Sequence, residues 1–311
     1  MSSANFPHRV GWIGTGRMGA AIATRLLDAG VDLWVWNRTR SKAEPLAEKG
    51  AKVVDSPRDL AERDIVFTMV GGPSDVLEVT FGDQGVLSDP DSRPSILVDS
   101  TTIDPSTSQD LTKRAADLGV AVLASPVSGN PKVVKSGQLT VVTSGPEEAF
   151  KTARPYIEQF GRKVTYVGDT DEARLVKIAH NLMLGVVTQS MAEIALLCEA
   201  AGVKRSDLLE FLNDSVMGST FTKYKSPAFV NLDFTPTFTS HLLRKDLELG
   251  LDAGRANDVP LPLTSLTHQI VMENIGLGHG DEDFANLLVK QAQNSGRTLE
   301  PENIDVPTGL E

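Results

Sequence analysis

At 311 residues the chain exceeds what one hydrophobic core commonly organises, so two domains are expected. With 41% hydrophobic and 23% charged residues it has the composition of an ordinary soluble globular protein, and its formal net charge of −11 excludes a nucleic-acid partner, whose phosphates require clustered Lys and Arg. The single cysteine, Cys198, excludes an intramolecular disulfide and lies in the apolar stretch Ala195-Leu196-Leu197-Cys198, where a buried, inert thiol is expected.

Residues 1–9 lack the apolar core of a signal peptide, and no apolar run approaches the ~20 residues that span a bilayer. A cytoplasmic location, no membrane partner and no metal site are the expectation. From Val10 onward, β-rich runs alternate with helix-like segments: Val10 to Ile13, Asp32 to Trp36, Lys52 to Val54, Ile65 to Val70, Ile96 to Val98 and Val120 to Leu123. This alternation predicts an α/β, Rossmann-type doubly wound and mainly parallel sheet with helices on both faces. Leu139 to Thr143 and Lys163 to Val167 extend the same domain, giving a first domain over 1–169.

Directly after the first run stands Gly14-Thr15-Gly16-Arg17-Met18-Gly19, with a helix-like segment from Ala20 to Ala29 behind it and Gly30 closing the unit. In that strand-turn-helix context the glycines predict a dinucleotide site: a tight turn, close approach of the pyrophosphate, and helix N–H groups aimed at it. An acidic residue at the end of the second strand would favour NAD by accepting from the ribose hydroxyls. Here the segment reads Trp36-Asn37-Arg38-Thr39-Arg40, in which Asn37, Arg38 and Thr39 donate to a 2′-phosphate, so NADP is favoured and NAD remains possible.

After the strand Val120 to Leu123 comes Ala124-Ser125-Pro126-Val127-Ser128-Gly129-Asn130, a loop expected at the carboxyl edge of the sheet, where ligands of such sheets bind. Ser128 and neighbouring N–H groups suit a carboxylate, although the segment also reads as a plain turn. Beyond Asp169 strand signals stop. Glu172 to Ala201 has no proline, one central glycine and apolar residues around most of its circumference, as in a helix buried on nearly all sides. Further helical patterns run from Ser206 to Leu212, Thr239 to Ala256, Leu263 to Ile275 and Asp283 to Gln293, so an all-α C-terminal domain over 170–295 is expected. The polar stretch 296–311 is expected to be a mobile tail.

Lys177 and Asn181 lie one turn apart on the long apolar helix. Burial lowers the pKa of an unpaired ammonium and so prepares a lysine for proton transfer near neutrality. Helix physics is equally satisfied by a lysine that snorkels to water or pairs with Glu172 or Glu193.

In ordered motifs from Val10 to about Val289 the chain resembles the β-hydroxyacid dehydrogenases, among them 3-hydroxyisobutyrate dehydrogenase, tartronate semialdehyde reductase and the glyoxylate or succinic semialdehyde reductases. The motifs are Gly14 to Gly19, Asn37-Arg38-Thr39, Val98 to Pro105, Pro126-Val127-Ser128-Gly129, Lys177 with Asn181, and Arg244-Lys245-Asp246-Leu247. The resemblance implies hydride transfer between a nicotinamide and a small anionic hydroxyacid or its semialdehyde, with Lys177 moving the hydroxyl proton and Asn181 placing the substrate. It implies that Ser128 and Gly129, with Asn130 beside them, bind the substrate carboxylate and that Phe238 and Asp246 line the substrate. Thr102, Val70 and Lys245 join the glycine turn and Asn37 to Thr39 around the cofactor, Lys245 lining the closed cleft of those enzymes. A homodimer or homotetramer is implied as well.

Three departures mark this chain: Asn130 stands where the family carries a second glycine, His180-Asn181 replaces a pair of asparagines, and Val70-Gly71-Gly72-Pro73 replaces a Leu-Pro pair. Asn130 and Lys132 suggest a pocket more polar than one for 3-hydroxyisobutyrate. Imine reductases share the glycine turn and Asn-Arg-Thr but typically lack the lysine; a 6-phosphogluconate dehydrogenase would be longer; a non-catalytic NADPH-binding module would have no use for Lys177, Asn181 and Ser128 together.

Overall fold

A computed structural model describes residues 6–310; residues 1–5, which begin the expected first domain, and Glu311, which ends the expected tail, lie outside the described residues. The chain divides into two units, Met1–Lys177 and Ile178–Glu311.

In the first unit, six short strands, β1 (Val10–Ile13), β2 (Leu33–Trp36), β3 (Lys52–Val53), β4 (Ile65–Thr68), β5 (Ile96–Asp99) and β6 (Ala121–Ala124), form one sheet in the order β3-β2-β1-β4-β5-β6. Every pairing in it is parallel. β1, β4 and β5 are buried at every residue, which explains why they read as continuous apolar runs rather than alternating ones. The connecting helices are α1 (Arg17–Asp28), α2 (Glu44–Ala47), α3 (Pro73–Phe81) and α4 (Pro105–Asp117). On one face Trp12 stacks on Phe67 with centroids 5.5 Å apart, and Phe160 packs edge-on to both. On the other face Ile13, Val66, Val76, Leu97, Leu111 and Val122 share a second core.

Register fixes where ligand-binding loops emerge. Ile13 pairs with Trp36 and Thr68, Thr68 with Asp99, and Asp99 with Ala124, so these strands all end along one edge. The strand order reverses between β1 and β4, the crevice where open α/β sheets take their ligands.

The runs expected to extend this domain do so as a second sheet. β7 (Val127–Ser128), β8 (Thr140–Thr143) and β9 (Lys163–Tyr166) make a three-stranded sheet, antiparallel between β7 and β8 and parallel between β8 and β9. A two-residue strand behind Pro126 carries no periodicity, so its segment reads as a loop in sequence. Helices α5 (Pro131–Lys135) and α6 (Glu147–Phe160) complete this part.

Helix α4 begins on Asp104, whose carboxylate accepts from the Thr107 N–H at 2.9 Å and from the Ser106 and Thr107 hydroxyls. Partial burial pushes this carboxyl up, but the hydrogen bonds outweigh it and hold the pKa at about 2. Asp104→Ala is expected to lower stability by about 1 kcal/mol near neutrality. Because the folded pKa lies below the unfolded value, that contribution is present above roughly pH 4 and fades as the pH falls toward 2. Urea unfolding of both proteins across this range checks it; a difference independent of pH would refute the assignment.

Helix α7 (Glu172–Ala200) runs for 29 residues, begins in the first unit and continues into the second, where α8 (Arg205–Asp214), α9 (Thr220–Asn231), α10 (Ser240–Ala256), α11 (Pro262–Asn274) and α12 (Leu287–Asn294) follow. Close crossing of α7 and α10 rests on two glycines. A Cβ on Gly185 would lie 3.1 Å from Leu243, and one on Gly250 would lie 2.3 Å from Leu182.

Several expectations fail here. By length and composition α7 is apolar enough to cross a membrane, contrary to the expectation that no run approaches that length; Lys177, His180 and Asn181 interrupt its apolar character near the start. It is not buried on nearly all sides: Leu175, Val176, Met183 and Leu197 are exposed, and Cys198 is only half-buried. Helix α9 escaped the sequence pattern because Pro227 lies inside it. Residues 296–310 are not a free tail. Arg205, 1% exposed at the start of α8, donates from Nη2 to the Glu300 carbonyl, and its backbone N–H donates to Glu302 at 2.7 Å. Asn231 bonds Ile304 in both directions, and Leu299 and Val306 pack on the core.

Candidate active site

The three glycines of the first turn have three different reasons. Gly14 sits at φ +99° with its N–H on the Trp36 carbonyl, and a Cβ there would lie 2.1 Å from the Met69 carbonyl oxygen. Gly19 allows α1 to touch the turn, since its Cβ would meet the Gly14 oxygen at 2.0 Å. Gly16, the N-cap, faces open space: nothing lies within 4 Å of where its Cβ would be. Helix α1 has no side-chain cap and no acidic residue in its first turn, which carries Arg17 and Met18. Its N–H groups therefore suit an anion approaching over Gly16. The buried Thr15 hydroxyl oxygen has no hydrogen-bond partner. A dinucleotide pyrophosphate fits these residues.

Asn37 is committed to building the site. Its Oδ1 accepts from the Thr15 N–H at 2.8 Å and its Nδ2 donates to the Thr39 carbonyl at 2.9 Å, tying the glycine turn to the end of β2. Arg38 is 81% exposed and pairs with Asp75 on α3 at 3.0 Å. An exposed pair of this kind is worth about 0–1 kcal/mol, little enough for a phosphate to displace. Across the sheet, the Val70 N–H donates to Thr101 Oγ1 at 3.2 Å, so the loops after β4 and β5, the second carrying Thr102, are linked at the same edge.

Ser128 lies half-buried on β7, and Gly129 follows at φ +143°, where a Cβ would collide with Val133 and Leu139. Asn130 has a structural reason: its Oδ1 caps α5, accepting from the N–H groups of Lys132 at 2.9 Å and Val133 at 3.1 Å. That carbonyl is spent on the helix, which removes it as an argument for a polar pocket.

Lys177 is half-buried in the second turn of α7. Glu193 lies 16 residues further along, roughly 24 Å away on an ideal helix and out of reach. Glu172 accepts from the N–H and hydroxyl of Thr170. One turn beyond Lys177, Asn181 is 5% exposed and donates from Nδ2 to Asp246 Oδ2 at 2.5 Å. A carboxylate only accepts, so it fixes the amide and leaves Asn181 Oδ1 to accept from His180 Nδ1 at 2.9 Å. Asp246 is itself buried; its Oδ1 has no hydrogen-bond partner and faces Lys245 Nζ at 3.5 Å, so charge rather than a hydrogen bond compensates it. His180, Asn181, Asp246 and Lys245 thus form one chain of contacts. Phe238 stands apart from it, packing edge-on to Phe284 at 5.9 Å. Among the described residues no group of His, Cys, Asp or Glu could hold a metal.

Comparison with known proteins follows the same division. Residues 9–168 match the profile described as the NAD binding domain of 6-phosphogluconate dehydrogenase, and residues 172–290 that described as NAD-binding of NADP-dependent 3-hydroxyisobutyrate dehydrogenase. The chain is 31% identical over 290 residues to 2-(hydroxymethyl)glutarate dehydrogenase of Eubacterium barkeri, covering 93% of this chain and 96% of that one. It belongs to the β-hydroxyacid dehydrogenase family. Within the family it is 29% identical to glyoxylate/succinic semialdehyde reductase 2 of Arabidopsis thaliana, over 90% of this chain and 78% of the relative. The solved 3-hydroxyisobutyrate dehydrogenase of Salmonella typhimurium superposes with a TM-score of 0.80 at 27% identity, covering 90% and 99% of the two chains. The chain is accordingly an NAD(P)-dependent dehydrogenase with a Rossmann domain and a helical C-terminal region, and its substrate is a small molecule.

One buried cluster of this dehydrogenase went unread in the sequence. Asp99, fully buried at the end of β5, accepts from Thr68 Oγ1 at 2.6 Å and from Arg174 Nη2 at 2.8 Å. Arg174, in the first turn of α7, also donates to the Thr101 carbonyl at 2.9 Å, to Ser108 Oγ at 2.6 Å and to Asp171 at 3.0 Å. Burial pushes the Asp171 carboxyl up, while Arg174 and Ser108 work against it. Asp99 stood inside a motif but had no assigned role, and nothing near Arg174 in sequence signals a partner 75 residues away.

Proposed function

We propose that this dehydrogenase interconverts a small β-hydroxyacid and its semialdehyde with NADP as the preferred cofactor and Lys177 as general acid and base. The observation that carries the reading is Lys177 one helical turn from an asparagine whose amide is locked by a buried carboxylate. When bound, the dinucleotide supplies the hydride chemistry. Lys177 Nζ gives a proton to the carbonyl oxygen during reduction and takes it back from the hydroxyl during oxidation. Asn181, held by Asp246, keeps the reacting group oriented, and Ser128 with the Gly129 backbone anchors the carboxylate, lowering the entropy lost on reaching the reactive geometry. Phe238 and Lys245 complete the set on the helical side. The names of the relatives support a carboxylate-bearing aldehyde or hydroxyacid as substrate.

NADPH consumption with succinic semialdehyde, glyoxylate, tartronate semialdehyde and methylmalonate semialdehyde, repeated with NADH, tests the reading; no turnover of any of the four would sink it. Arg38→Ala is expected to raise KM for NADPH by roughly tenfold to a hundredfold, the loss of one charge-assisted contact of about 1.5–3 kcal/mol, and to leave KM for NADH unchanged. Equal changes with both cofactors would remove Arg38 from 2′-phosphate recognition.

We further propose a cytoplasmic homodimer or homotetramer. Exposed Leu175, Val176, Met183 and Leu197 on α7 and Leu263 and Leu266 on α11 support association. Light scattering giving a monomer at micromolar concentration would contradict it.

A further inference from the structure

We propose that Arg174 is a positioning residue for Lys177, setting the first turns of α7 against the edge of the sheet where the dinucleotide loops emerge. The inference rests on the reading of Lys177 as the proton-transfer group and adds the means by which it is aimed.

Arg174 and Lys177 are three residues apart on α7 and so lie on neighbouring positions of one helix face. The Arg174 side chain is 4% exposed, and all three guanidinium nitrogens are used. Nη2 grips Asp99 at the end of β5, Nη1 grips the Thr101 carbonyl in the following loop, and Nε reaches Ser108 on α4 and Asp171 before α7. Ser108 Oγ in turn donates to Asp171 at 2.7 Å. The loop so gripped is the one whose Thr101 hydroxyl receives the Val70 N–H. A planar fork engaged on both edges constrains rotation as well as distance, which a single ammonium does not. The helix carrying Lys177 is therefore clamped to the loops after β4 and β5. Ordinary helix stability does not require this, since α7 begins with Glu172 in its first turn and 29 residues of its own hydrogen bonding.

The test is a double-mutant cycle between Arg174→Gln and Lys177→Ala, with NADPH and succinic semialdehyde, alongside hydrogen exchange of the full chain. With Lys177 present, Arg174→Gln is expected to lower kcat by about 10–100-fold, the scale of an ångström-sized misplacement, with the NADPH Kd within threefold of wild type. In the Lys177→Ala background the same substitution should change kcat less than threefold. Arg174→Lys should restore part of the loss. Amides of residues 172–181 should exchange at least tenfold faster in Arg174→Gln while those of α12 do not, a readout that needs no turnover. An equal fall in kcat in both backgrounds, an unchanged kcat with Lys177 present, or unaltered exchange in α7 overturns the proposal. If neither Arg174 variant folds, its role is stability alone and the proposal also fails. The underlying reading fails separately, if Lys177→Ala by itself keeps wild-type turnover.

Discussion

Lys177→Ala is expected to lower kcat by about a thousandfold, within the 10²–10⁴ range that a positioned acid or base contributes, while NADPH binds as before. The cofactor elements, Gly14 to Gly19, Asn37, Val70 and Thr101, hold one another through contacts that do not include Lys177. Removing the lysine is therefore expected to leave the dinucleotide surface intact and to remove only the proposed proton route. Fluorescence titration with NADPH beside steady-state kinetics separates the two quantities. A protein that merely carried the cofactor would give identical kinetics before and after, and a loss of NADPH affinity matching the loss of rate would make Lys177 a binding residue instead. Lys177→Arg should not rescue, because guanidinium keeps its proton at any working pH.

Asp283→Ala is expected to lower stability by about 3–5 kcal/mol, the cost of breaking a buried ion pair by removing one partner. Asp283 is 1% exposed and accepts from Lys225 Nζ, the Thr237 N–H and hydroxyl, and the Ala285 N–H. Lys225 is equally buried, over the face of Phe284 at 4.3 Å, and burial pushes its pKa down against the pull of Asp283. Deleting the carboxylate strands a buried ammonium and two backbone donors together. Lys225→Met in the same chain should recover part of the loss, since the stranded charge goes with it. Chemical denaturation of the single and double variants measures both; a single-variant loss below about 1 kcal/mol would show the pair to be hydrated or replaceable.

The parts of the molecule legible in sequence are those governed by local rules. The buried strands β1, β4 and β5 announce themselves as unbroken apolar runs, and Gly14, Gly16 and Gly19 reveal a turn whose geometry each glycine serves differently. Asn181 was legible as a neighbour of Lys177, but its buried partner Asp246 is 65 residues away and entered through family likeness alone. Residue type misled at Asn130, where a polar side chain next to a ligand loop answers to the first turn of α5. Strand β7, α9 and the Asp99–Arg174 clamp were not legible: a two-residue strand, a helix with an internal proline and a long-range ion pair leave no periodic trace.

The C-terminal strap gives the helical unit a particular order of assembly. Arg205 lies at the beginning of α8, yet two of its partners, Glu300 and Glu302, lie 95 and 97 residues further along the chain. Without them the guanidinium keeps the Phe229 and Val230 carbonyls and Glu199 as acceptors but loses the Glu300 carbonyl, and the core facing Leu299 and Val306 stays uncovered. The first unit has all its strands by Tyr166 and can mature while the chain is still growing. The second closes only when residues 299–306 are in place, so a chain cut before them would hold a finished nucleotide fold beside an uncovered helical core.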